Sequence, residues 1–133
     1  MITLHVLQYL SDNGFGTIDT DLFFEKLPLG VNGIAIFARG GRQEYGRNTI
    51  AQAFDLYVRG KSDVLGMSIC EDLRTLFSDS YGKMCTLPIV EDISERVYKN
   101  VQFLEITNIE NIGVDENERV VYRLGVTVNY RRH

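Results

Sequence analysis

The segment Val120 to Tyr130 constrains this chain more than any other, because it alternates with a period of two over eleven positions. Val120, Tyr122, Leu124, Val126, Val128 and Tyr130 fall on one face of an extended strand, and Val121, Arg123, Gly125, Thr127 and Asn129 on the other. A strand patterned this way buries one side, so it needs antiparallel partners and a layer packed against its apolar face. The run Gly113-Val114-Asp115-Glu116-Asn117-Glu118-Arg119 directly before it reads as the turn of a hairpin. No nucleophile, metal cluster or phosphate loop accompanies this hairpin, which points to a protein that works through its surfaces.

The chain of 133 residues fits a single domain spanning 1–133, long enough to bury roughly two thirds of the surface its unfolded form exposes. With 44% hydrophobic and 24% charged residues it has the composition of a globular protein. No apolar run approaches the ~18 residues of a membrane span, so no membrane partner is expected. The apolar start, Met1 to Leu10, lacks a basic leader and a small-residue cleavage site, and assembly in the cytoplasm is expected. Cys70 and Cys85 are too few for a disulfide framework and lack metal-ligand spacing, which leaves buried free thiols. A net charge of −4 argues against general phosphate binding while leaving room for local basic patches.

Period and punctuation divide the chain into further elements. Met1 to Leu10 puts Ile2, Val6, Tyr9 and Leu10 on one helical face, stopped by Ser11-Asp12-Asn13-Gly14. Phe15 to Pro28 is a connection in which Asp19 to Phe24 could form a helical turn. Gly33 to Arg39 suits a buried strand, and Phe54 to Arg59 alternates Phe54, Leu56 and Val58 inward. Gly40 to Arg47 between them reads as a long hairpin loop. A helix is expected from about Ser62, a plausible N-cap, to Ser78, with Leu65, Ile69, Leu73, Leu76 and Phe77 on its buried side. Tyr81 to Pro88 reads as a loop, and Val97 to Ile112 as a strand returning on Val120 to Tyr130. The expected class is α+β, a mostly antiparallel sheet with helices on one face.

Several patterns that look chemical have plainer readings. Gly14-Phe15-Gly16 lacks the preceding strand and third glycine of a dinucleotide fingerprint and reads as a turn. Arg39-Gly40-Gly41-Arg42, one copy of an arginine-glycine box, reads as a hairpin bend. Asp115 to Glu118 lacks the length and terminal glutamate of a calcium loop. His5 lies in an apolar helix and His133 ends the chain, so neither gains a nucleophile and carboxylate. Cys70, beside Ile69 and Leu73, reads as a core thiol. Glu71-Asp72 and Glu91-Asp92 are adjacent pairs that point in different directions on a helix. No catalytic residue, metal ligand or cofactor site can be named, and no enzyme is expected.

Charge remains. Arg39, Arg42, Arg47, Arg59 and Lys61 gather on the first hairpin and its exits, and Asp115, Glu116 and Glu118 on the second. Copies meeting head to tail could use such opposite charges to set register. Both hairpins also leave strand edges that a ring would close against neighbours.

In its order of segments the chain resembles the small tail-terminator proteins of long-tailed bacteriophages, also labelled minor capsid or tail-completion proteins. The resemblance rests on an opening helix before Gly14 to Phe23, the pair Leu27-Pro28, Ile34 to Gly41 ending in a double glycine, and Asp55-Leu56-Tyr57-Val58-Arg59-Gly60 before the long helix. It closes on Ile112 to Arg119 ahead of a tyrosine-bearing strand, with Glu118 standing where glycine would follow Asp115-Glu116-Asn117. The resemblance implies a subunit of a hexameric ring in the virion neck, without a cofactor. The ring would cap the finished tail tube, stop its polymerisation and face the head connector or head-completion protein, with genomic DNA passing through its lumen. By the same resemblance the Gly40 to Arg47 loop, with Arg39 and Arg42, and the Asp115 to Arg119 turn, with Glu116, become contact elements. Arg59, Arg123 and Arg131 become inter-subunit or lumen charges. Two other classes fit the residues: a different neck or tail component, such as a head-completion or tail-tube protein, and a small enzyme or nucleic-acid-binding module.

Overall fold

In a computed structural model, which describes residues 2–43, 49–115 and 118–131, the alternating segment is the strand around which the others assemble. The elements are α1 (Ile2–Asp12), β1 (Leu22–Phe24), β2 (Gly33–Gln43), β3 (Thr49–Arg59), α2 (Asp63–Asp79), β4 (Cys85–Leu87), β5 (Tyr98–Leu104), β6 (Glu110–Val114) and β7 (Val120–Arg131). The sheet runs β1-β2-β3-β7-β5-β4, with β6 also on β7. β1 joins β2 in parallel, and β2–β3, β3–β7, β5–β7, β6–β7 and β4–β5 pair antiparallel.

Register explains the core. Ile34, Val58 and Tyr122 form one cross-strand row, Ile36, Leu56 and Leu124 the next, and Ala38, Phe54 and Val126 a third. Each row points to the same face by strand periodicity, and all but Ala38 are buried there. Phe77 of α2 meets Phe54 and Phe103 edge-on at ring distances of 6.2 and 4.9 Å, and Tyr9 of α1 stacks on Phe103. Both helices therefore cover this face. Because α1 touches β1 and β2 at one side of the sheet and β4 at the other, the sheet curls around it.

The helices begin and end where the sequence places their signals. Gly14 adopts φ +86 just after α1, and Phe15 N–H closes on Leu10 O at 3.0 Å, a left-handed cap that glycine adopts without a Cβ penalty. Ser62 caps α2 by accepting from Leu65 N–H at 3.2 Å. Its buried stripe is Gly66, Cys70, Leu73 and Phe77, whereas the expected stripe began with Leu65 and Ile69; Leu65 is 51% exposed. The displacement follows from Gly60 and Gly66, which bring the β3 exit against the helix: a Cβ on Gly60 would lie 2.5 Å from Gly66 N.

Other expectations are corrected. Asp19 to Phe24 holds no helical turn, because Asp19 sits at φ 70 and Leu22–Phe24 pairs with Ile34–Ile36. Tyr81 to Pro88 contains β4. Residues 40–43 of the loop expected over 40–47 belong to β2, which carries a bulge between Ala38 and Gly41, and the rest of that loop lies outside the described residues. Val97 to Ile112 is two strands: Glu105, at φ 51, leaves the extended region and ends β5. Thr107 fills the gap before β6, donating its N–H to Gly125 O at 2.9 Å and accepting Gly125 N–H on Oγ1 at 2.8 Å.

Candidate interaction surfaces

The arginines and acids read as surface charges have different fates. Arg59 is not a surface group: its side chain is 3% exposed and lies 3.2 Å from Asp115 Oδ2. It also donates to Val31 O, at 2.9 Å from Nε and 2.6 Å from Nη2, and to Pro28 O. Arg59 thus ties the end of β3, the 28–31 loop and the β6–β7 turn together. Asp115 accepts Arg119 N–H at 3.0 Å on Oδ1, and Arg119 donates to Asn32. The Arg59–Asp115 attraction expected between copies is satisfied inside one chain, which removes Arg59 as an inter-subunit or lumen charge.

The sheet face away from the helices carries paired charges. Arg39 Nε lies 3.1 Å from Asp55 Oδ1, and the pair sits over Gly125, where a Cβ would meet Arg39 and Asp55 at 3.2 Å. Arg123 donates to Glu110 Oε2 at 2.8 Å, a hydrogen bond that raises the guanidinium above its ordinary value. On the same face Phe37, opposite Asp55, and Tyr57, opposite Arg123, pack edge-on. Arg131 is exposed at the end of β7, in register with Thr49. Arg42 lies in β2 opposite Ala51. The Arg42 side chain, Arg47 and Glu116 lie outside the described residues.

His5 is fully buried, with Nδ1 2.8 Å from Pro88 O and Nε2 3.0 Å from Ser94 Oγ. A carbonyl can only accept, so Nδ1 carries the proton and, in the neutral ring, Nε2 accepts from the serine hydroxyl. The ring clasps α1 to the 88–94 segment. Burial, with Glu71 adding to it, pushes the Cys70 thiol up to about 12, and burial raises Cys85 as well. Both are free thiols held in their neutral form. Among the described residues no group of three or more His, Cys, Asp or Glu is placed to hold a metal ion. No helix among them is long and apolar enough to cross a membrane.

A groove that the sequence reading missed opens beside α1. Phe15, Ile34, Leu65 and Ile69 wall a cavity of about 600 Å³, with Lys61 and Asp72 at its margins. The signal was present in α2, whose apolar residues outnumber what one buried stripe requires. Gly66, Cys70, Leu73 and Phe77 pack on the sheet, and Leu65 with Ile69 form a second, flanking stripe.

Among the described residues these features define an α+β domain with a curled seven-stranded sheet and two helices. No known family model matches the chain, and no curated protein matches it.

Proposed function

We propose that the chain is a structural virion protein of the tail-terminator type. It forms a ring on the head-proximal end of a phage tail tube, stops the tube's growth and offers a surface to the head connector. The observation that carries this reading is the agreement between segment order and element boundaries. The opening helix ends just before Gly14, β2 holds the double glycine, β3 ends at Arg59 directly before the capped α2, and the Asp115–Arg119 turn feeds the longest strand. Mixed charge on an open sheet face and an uncovered groove on the helix side give such a subunit two distinct contact surfaces. The tail-tube protein, the connector and further copies of the chain are its partners in this reading, and genomic DNA passes through the ring.

The test is to add the purified protein to tail-tube protein while tubes are growing and to measure their length distribution. A terminator shortens and fixes tube length at substoichiometric amounts and is found at one tube end. Tubes that grow unchanged, or incorporate the protein along their length, contradict the reading, and the second result points to a tube protein.

A further inference from the structure

The groove between Phe15 and the Leu65–Ile69 flank of α2 is open to solvent, at about 600 Å³ roomy enough for the several side chains of a docked loop, and polarised. Lys61 is exposed just before the Ser62 cap of α2 and Asp72 is exposed more than two turns along the helix, and neither has an ionic partner among the described residues. Its natural complement is an apolar knob with an acid on one side and a cation on the other.

The chain carries such a knob. Val90 and Ser94 close a tight loop through two backbone hydrogen bonds of 2.8 Å, and Ile93, directly after its Glu91–Asp92 tip, is 62% exposed. Glu91 and Asp92 precede the isoleucine, and Arg96 follows it, its guanidinium 4.7 Å from the Tyr98 ring centre. The His5 contacts to Pro88 and Ser94 hold this loop against α1, so little ordering remains to be done on binding.

We infer that the Ile93 loop of one copy seats in the Phe15–Leu65 groove of the next, with Glu91 and Asp92 against Lys61 and Arg96 against Asp72. Loop and groove are different patches, so the contact is heterologous: every copy gives one loop and receives another, and a closing rotation makes a ring. The inference deepens the ring reading and rests on it.

The experiment compares four proteins by light scattering over a concentration series, each checked for an unchanged melting temperature: wild type, Ile93→Asp, Lys61→Glu, and Lys61→Glu with Glu91→Lys. Ile93 and Lys61 are exposed, so the single substitutions leave the fold intact. Wild type assembles, Ile93→Asp stays monomeric, Lys61→Glu raises the concentration needed for assembly by about tenfold, and the charge swap restores it. Rings that persist in Ile93→Asp at wild-type concentrations overturn this contact while leaving the ring reading standing. A wild type that stays monomeric at every concentration overturns this contact, and if it also leaves growing tubes unchanged the ring reading falls with it.

Discussion

Arg59 and Asp115 form an ion pair of 3.2 Å inside one chain, with side chains 3% and 11% exposed. The guanidinium also donates from Nε and Nη2 to the carbonyls of Val31 and Pro28. An arginine so buried is tolerated because the carboxylate at 3.2 Å and the carbonyls of Val31 and Pro28 offset its desolvation.

Removing one partner of that pair exposes its cost. Asp115→Ala is expected to lower stability by about 3 kcal/mol, since it strands a desolvated guanidinium. Arg59→Lys is expected to fail as a conservative replacement, because one ammonium cannot reach Asp115, Val31 and Pro28 in the geometry of a fork. Urea unfolding measures both, and a loss below about 1 kcal/mol for Asp115→Ala would place the pair among ordinary surface bridges.

Glu118 occupies the left-handed region at φ 60, with its N–H on Asp115 O at 3.0 Å. A side chain pays a steric cost there that glycine avoids. Glu118→Gly is therefore expected to raise stability by up to about 1 kcal/mol, read as a higher urea midpoint at unchanged slope. A lower midpoint would show that the glutamate makes a compensating contact.

Cys70 predicts a pH dependence of defined sign. Its folded-state thiol lies near 12 against an ordinary 9.0, so the folded state holds its proton longer than the unfolded one. The stability this contributes is fully present below pH 9 and declines above it, and it is lost by about pH 12. Unfolding at pH 8 and pH 10.5 should show a steeper decline for wild type than for Cys70→Ala. Equal slopes would contradict a buried neutral thiol.

His5→Phe keeps the ring's bulk but leaves Pro88 O and Ser94 Oγ without their partner. The expected loss is about 1–3 kcal/mol, and hydrogen exchange should quicken in 88–94 before the rest of the fold. Uniform exchange would mean the histidine does not hold that segment.

Much of this architecture was legible in the chain. The faces of β7, the Ser62 cap, the stop at Gly14 and the buried Cys70 all follow from period and punctuation, which are local properties. The illegible parts depend on partners distant in sequence. β1 is three residues long and is fixed by its parallel register on β2. The break between β5 and β6 depends on Thr107 reaching Gly125, which no short window shows. Arg59 and Asp115 looked like surface charges because burial of an ion pair is decided by what closes over it. Leu65 and Ile69 looked like core because the Gly60–Gly66 approach that shifts the buried stripe is a tertiary contact.

A subunit of a terminating ring assembles into closed hexamers that do not elongate, which light scattering of the purified wild-type protein, with negative-stain images of the same fractions, measures. The expected result is closed rings whose mass stays constant as concentration rises. Open-ended tubes that lengthen with concentration would contradict it.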